Sequence, residues 1–474
     1  MSILSGIAVL LLAQGGVSKG DQEIKHPWHG DFKDDYKDPK TKALIMHYRM
    51  RAPEKLPERK TLGLIVCFHG MNGTEDHTTG FTINAAKAAG LADQYVIMGG
   101  KSKGAGWATS DDKDLLAWIA WVKETYPIDP RRVHLIGMSN GGWMVKRFGW
   151  EHQELFASVT SYCGGGVDFS NPPKNGVPAG KPGTPTAPSE TKTEWYFVHG
   201  DADKEVPHDA SRRACAQLKD KGYRYVYREI AGADHGGITK YGEVSEDVVR
   251  WMHALRHKEI QISAAEKKEL TTLVSKVKNE KGAAAEPFIK EAARLGGAPG
   301  ARVIDAALGV SDVEVKKAAA ETTASTLYGR EIVMELVKLL KDKSEEVKKA
   351  AFEGLGTASN WRYEEAQQHL ARVARQKSAA IEDRVAAIHG LGKTVKLQLL
   401  GNLEDKLVLW TLVLLLDDDD LQARTSAFAA LEKGVKDTFE YKPELEAAAR
   451  KAPVAKWKSW AQTKVGPLEG VARP

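Results

Sequence analysis

The chain has 474 residues, 42% of them hydrophobic and 28% charged, enough to bury sizeable cores in two or three domains of about 150 residues each. Its 68 Lys and Arg against 63 Asp and Glu leave a net charge of +5, interleaved along the chain rather than gathered in one patch, which argues against a nucleic-acid partner. Three scattered cysteines, Cys67, Cys163 and Cys215, are too few for a disulfide framework or a cysteine-rich zinc site.

In chain order, Ile3 to Ala13 is an uncharged run followed by small residues, the length of a signal-peptide core. We therefore expect residues 1–18 to be a leader, cleaved after Gly15 or Ser18, and the protein to be exported to a periplasm or the exterior. No later segment has the ~18–20 apolar residues of a membrane span. Residues 19–42, with "DFKDDYKDPKTK", read as a polar, solvated arm.

From residue 43 to 258, short apolar runs alternate with helical patterns. Leu62–Gly70, Gln94–Gly100, Arg132–Ser139, Phe156–Gly165, Glu194–Gly200 and Tyr223–Ile230 predict strands, while Asp111–Tyr126 and Ala210–Gly222 have helical spacing. Strands alternating with helices at this interval predict an α/β fold with a mostly parallel sheet, whose ligands meet the ends of the strands. The Pro- and Gly-rich stretch 164–193 lies beside that edge and is a candidate lid. Trp107 is a candidate rim residue and Trp143 a candidate pocket residue, although ordinary packing explains either.

Ser139 sits inside Gly137-Met138-Ser139-Asn140-Gly141, where an apolar strand breaks into a helix. A sharp strand-to-helix turn has no room for flanking side chains, hence the glycines, and it lifts a hydroxyl above the sheet edge. A serine nucleophile needs a base and a group to orient that base. His235 follows the last strand in a Gly-rich loop, and "VHGDADKEVP" offers Asp201, Asp203 and Glu205. The order serine, acid, histidine is that of an α/β-hydrolase.

These residues carry a resemblance. "YPIDPRRVHLIGMSNGGWM" resembles the nucleophile region of the esterase and polyhydroxybutyrate-depolymerase-like branch of the α/β-hydrolases, which includes feruloyl and acetyl-xylan esterases. "HGDADKEVP" resembles the H-G-x-x-D-x-x-V-P of that branch, which implies Asp203 as the acid. "CFHGMNG" resembles its oxyanion loop, which implies that the Met71 and Asn140 N–H groups hold a developing oxyanion. The resemblance spans roughly residues 43–257 and leaves the substrate open.

Residues 259–474 change in composition to Ala, Lys, Glu and Leu, which predicts an all-α domain. Val313–Ser325, Glu345–Thr357, Glu382–Thr394 and Leu421–Lys433 repeat one pattern, with Ile332–Leu340 and Leu407–Leu416 as partner helices. The pattern resembles HEAT-like repeats, in which helix pairs stack because none buries its apolar face alone. "LLLDDDD" is expected to close one helix and cap the next, not to hold calcium, and Trp457 with Trp460 to cap the end of the array.

The sequence thus predicts an exported serine hydrolase that cleaves a carboxylic ester through an acyl-enzyme, with Ser139, His235 and Asp203 as the triad and no metal or organic cofactor. Its substrate is expected to be an ester such as an acylated polysaccharide or a polyester, and its repeats to bind a protein or polymer. A peptidase of the same fold is the near alternative. A binding scaffold with a vestigial hydrolase half is the more distant one.

Overall fold

The computed structural model describes residues 28–169, 193–257, 260–325, 330–397, 405–433, 435 and 437–468. The expected leader and most of the candidate lid lie outside these residues.

Eight strands form one sheet: β1 (Gly30–Lys37), β2 (Leu44–Ala52), β3 (Leu62–Phe68), β4 (Tyr95–Gly100), β5 (Ile128–Met138), β6 (Ser158–Tyr162), β7 (Glu194–Gly200) and β8 (Tyr225–Ile230). Their spatial order is β1-β2-β4-β3-β5-β6-β7-β8; β1, β2 and β4 pair antiparallel and every other neighbouring pair is parallel. The central strands β3, β4 and β7 are buried along their whole length, as expected of parallel strands covered on both faces. The six expected strands are all present, with ends shifted by at most four residues.

The expected polar arm is corrected. Its Gly30–Lys37 segment is the edge strand β1, paired with β2 from Gly30↔Ala52 to Lys37↔Leu44. An edge strand can keep its charged side chains in water, so its composition hides its pairing.

Helices cover both faces. α1 (His77–Ala88) appears first in the chain, then α2 (Asp112–Thr125), α3 (Asn140–Glu151), α4 (Asp209–Asp220) and α5 (Gly242–Ala254). One face packs Leu64, Val66, Met98 and Leu135 against residues of α2, α3 and α4, including Trp118, Val145 and Leu218. The opposite face packs Ile65, Ile97, Ile136 and Val198 against α1 and α5, and its core continues into the C-terminal helices.

Those helices are α6 (Ala264–Asn279), α7 (Glu286–Leu295), α8 (Gly297–Leu308), α9 (Val313–Ser325), α10 (Arg330–Leu339), α11 (Glu345–Asn360), α12 (Glu364–Arg375), α13 (Ile381–Leu397), α14 (Lys406–Leu415), α15 (Leu421–Glu432) and α16 (Ala447–Val465). The four repeated segments are α9, α11, α13 and α15, stacked in that order. A Cβ on Gly356 would lie 2.9 Å from the Gly390 Cα, so the recurring glycines let neighbouring helices cross closely. Asp420 caps α15, accepting from the Gln422 and Ala423 amides at 2.8 and 3.1 Å. Trp457 is fully buried beside Phe428 and Phe439, closing the array.

The repeats meet the sheet at β8. Arg228, fully buried, donates to Tyr196 Oη at 2.9 Å and to the Asn360 carbonyl and Oδ1, both at 2.8 Å. Asp247 on α5 accepts from Tyr196, Asn360 and Trp361 at 2.6, 2.8 and 3.0 Å. The Arg362 guanidinium lies 5.3 Å from the Tyr225 ring. Since Tyr225 and Arg228 point to opposite faces of β8, residues 360–362 straddle the strand.

Candidate active site

β5 ends at Met138 and α3 begins at Asn140, so Ser139 alone makes the turn, with φ +56° and ψ −118°. A left-handed φ is costly for a non-glycine residue and persists only where the surroundings over-determine it. Here they do. The Ser139 N–H donates to the Tyr162 carbonyl at 2.9 Å, and the chain crowds on both sides. A Cβ at Gly137 would stand 2.2 Å from the Gly141 carbonyl oxygen, and one at Gly141 2.1 Å from the Phe68 carbonyl oxygen. Both positions therefore require glycine.

The loops after β7 and β8 bring the other two groups to this turn. Ser139 Oγ–H donates to His235 Nε2 at 2.9 Å, and His235 Nδ1–H donates to Asp203 Oδ2 at 2.7 Å. Asp203 Oδ1 accepts from the Glu205 and Val206 amides, both at 2.9 Å. Burial works to raise the Asp203 carboxyl, but the Val206 amide, the His235 ring and the Glu205 amide outweigh it and hold the group below the usual carboxylate range. Asp203 therefore stays ionised beside the imidazole. Neither of the other two acids meets His235 Nδ1: Asp201 Oδ1 accepts from the Gly232 amide at 2.6 Å, and the exposed Glu205 carboxylate lies 3.8 Å from His235 Nε2.

Beyond those three groups, the structure adds two histidines that sequence reasoning misses. His199 Nδ1 accepts from the Ser211 hydroxyl at 2.8 Å, so its proton is on Nε2, shared between the Val206 carbonyl at 2.8 Å and Asp203 Oδ2 at 3.2 Å. Burial lowers its pKa and keeps it neutral, so it holds the acid without competing for charge. His69 Nε2 accepts from the Ser102 amide at 3.0 Å, which puts its proton on Nδ1, donated to the Gly70 carbonyl at 2.6 Å. That carbonyl and the Met71 N–H belong to one planar peptide, so His69 also sets the direction of the Met71 donor. Both histidines precede a glycine at a strand end, in "FHG" and "VHG"; this is the signal that could have found them.

Met71 and Asn140, the residues expected to supply oxyanion N–H groups, lie on either side of the serine. A Cβ on Gly70 would lie 3.2 Å from Ser139 Cβ, so the Gly70–Met71 peptide passes directly beside the hydroxyl. Asn140 opens α3, where first-turn N–H groups have no partner within the helix. Its side chain accepts from the Trp107 amide at 2.6 Å, tying the 101–107 loop to the turn. Trp107 itself is buried against Phe68 and His69, a packing residue rather than a rim residue. Trp143 is half-buried, with the Arg147 guanidinium 5.5 Å from its ring. Cys163 follows β6 with its Sγ 3.8 Å from the His235 carbonyl, and burial pushes its thiol up to about 12, so it is not a competing nucleophile.

Residues 99–166, which contain β5 and the Ser139 turn, match the model of the prolyl oligopeptidase family, and residues 301–392 match that of HEAT repeats. The Nocardia uniformis subsp. tsuyamanensis protein named "Putative esterase NocK" is 31% identical over 191 residues, 37% of this chain and 49% of its own. The chain thus spans about half the length of the curated relative it matches. Among solved structures, a thermostable esterase is 20% identical over 48% of this chain and 63% of its own, with a TM-score of 0.37. FphF, a fluorophosphonate-binding serine hydrolase of Staphylococcus aureus, is 14% identical over 48% of this chain and 99% of its own, with a TM-score of 0.36.

Proposed function

We propose that this chain, an α/β-hydrolase of the esterase and peptidase kind joined to HEAT-type repeats, cleaves carboxylic esters through an acyl-enzyme on Ser139. The observation that carries the reading is the continuous chain from Ser139 Oγ through His235 to Asp203, at 2.9 and 2.7 Å, on a turn that exposes the hydroxyl. Ser139 Oγ attacks the acyl carbon while His235 Nε2 takes its proton, and Asp203 stabilises the imidazolium that forms. The negative charge on the carbonyl oxygen falls between the Met71 and Asn140 N–H groups. Collapse of the tetrahedral intermediate expels the alcohol, which leaves with the proton from His235 Nε2. Water then attacks the acyl-Ser139 ester, giving its proton to His235, and the acid is released with Ser139 restored.

The 31% identity to an esterase-named relative supports ester over amide. A second reading, peptidase, is favoured by the match of residues 99–166 to the prolyl oligopeptidase family. The apolar leader supports export, and mass spectrometry of the exported N-terminus tests it. The repeats are read as holding a protein or polymer near the site.

Purified protein should hydrolyse aryl acetates, and an acetylated or feruloylated sugar, faster than peptide anilides. Ser139→Ala should lose at least ~10³-fold in kcat/KM and all covalent labelling by a fluorophosphonate, with unchanged circular dichroism. Wild-type protein that neither labels nor turns over any ester would leave the scaffold alternative standing.

A further inference from the structure

Away from Ser139, a cavity of about 520 Å³ opens where the last hydrolase residues meet α6 and α8, and its described lining has five cationic or ionisable nitrogen side chains and no carboxylate. Arg131 is neutralised by Asp129 at 2.8 Å and Glu266 at 3.2 Å, just outside the lining. Lys267 and Arg302 are exposed, and neither has an acidic partner among the described residues. Gly296 and Gly297, both at φ +54°, turn the chain so that α8 starts at this cavity; Pro299 has no N–H and the Gly300 N–H donates to the Gly296 carbonyl at 3.1 Å, which leaves the Gly297 and Ala298 amides.

Two buried side chains face the cavity with hydrogen-bonding capacity left over. Arg256, 6% exposed, donates through Nη1 to the His253 and Leu255 carbonyls at 2.9 Å and through Nη2 to the Arg294 carbonyl at 3.1 Å, but its buried Nε has no partner. A Cβ built on Gly296 would meet that Nε and the Cζ at 2.8 Å, so the guanidinium packs against the chain just before α8. His257, 5% exposed, spends Nε2–H on the Gln153 carbonyl at 2.8 Å and leaves a buried Nδ1 with no partner. That nitrogen can accept from a hydroxyl or, once protonated, donate to an anion. Burial, with Arg132 nearby, pushes the Arg256 guanidinium down to about 9. The remaining wall carries Ile260, Ile262 and Leu270.

We propose that this cavity binds a small organic phosphate monoester, its dianion held by Arg256, Lys267, Arg302 and the Gly297 and Ala298 amides, its apolar body against Ile260, Ile262 and Leu270. Capping of two helix ends accounts for three of the Arg256 bonds. It does not account for the unspent Nε, the free Lys267 and Arg302, or the gathering of both beside a helix N-terminus.

Calorimetric titration of the full chain in low-chloride buffer with phenyl phosphate, phenol and inorganic phosphate tests this. Phenyl phosphate should bind saturably at one site and more tightly than inorganic phosphate, with phenol giving no saturable heat. Lys267→Gln with Arg302→Gln, both exposed changes, should weaken phenyl phosphate at least about tenfold while the circular dichroism and aryl-ester turnover stay unchanged. No saturable heat, or an unchanged affinity in that double variant, would overturn the site. Inorganic phosphate binding as tightly as phenyl phosphate would overturn its organic body.

Discussion

Lys146 offers a stability measurement whose size follows from its surroundings. It lies on the buried face of α3, fully enclosed, with its Nζ donating to the Gly164 carbonyl at 3.1 Å and 5.9 Å from the Phe197 ring. No carboxylate pairs with it among the described residues. Burial pushes its pKa down from 10.5 to about 7, a preference for the neutral amine of about 5 kcal/mol. Below pH 7 both folded and unfolded chains carry the charge, so the whole penalty falls on the folded state. Between about pH 7 and 10.5 only the unfolded chain stays protonated, and stability rises with pH; above that window the penalty is gone. Lys146→Met removes the charge and leaves the Gly164 carbonyl without its donor, a loss of about 1–2 kcal/mol. The variant should therefore be more stable than wild type by about 3–4 kcal/mol at pH 6 and less stable by about 1–2 kcal/mol near pH 11. Urea unfolding of both proteins from pH 6 to 11, followed by tryptophan fluorescence, reads the difference directly, since other titrations cancel between them. A difference that does not change with pH, or a variant that is the weaker protein at pH 6, would refute the reasoning.

Asp203→Asn should lower ester turnover by about 10³–10⁴-fold, because an amide favours the wrong imidazole tautomer, while Asp201→Asn should stay within a few-fold of wild type in the same aryl-ester assay. Equal losses would contradict the hydrogen bonding described for the two acids. Gly141→Ala forces a methyl against the Phe68 carbonyl and should cost about 1–3 kcal/mol in thermal unfolding together with most of the activity. Asn360→Ala strips one partner each from buried Arg228 and Asp247 and should destabilise the protein by about 2–4 kcal/mol, with a loss of cooperativity between sheet and repeats in differential scanning calorimetry.

The elements most legible in the sequence are those whose environment imposes one pattern throughout. β3, β4 and β7 are buried on both faces, so unbroken apolar runs mark them. β1 and β2 escape notice because β1 is a largely exposed edge and β2 alternates apolar with polar residues along "LIMHYRMRA". α1, "HTTGFTINAAKA", is poor in strong helix formers and is held by packing of Ile83, Ala85 and Ala86. At the site, the glycines around Ser139 report a backbone need that is local and therefore readable. The choice of Asp203 over Asp201 and Glu205 depends on a loop meeting His235, and residue types alone leave it open. The roles of His69 and His199 depend on which ring nitrogen meets an amide or a hydroxyl. Asp247 and Asn360, 113 residues apart, leave no trace in local pattern.

The straddling of β8 by residues 360–362 bears on the free margin of the sheet. The last strand of an open sheet presents unpaired peptide groups to any chain that can extend beside it, and the two charged residues of β8, Arg228 and Glu229, are buried, unlike the exposed charges that blunt β1. The repeats sit where an incoming strand would have to lie. A fragment ending at residue 258 would bare this margin, and sheet-to-sheet growth is the hazard expected of it.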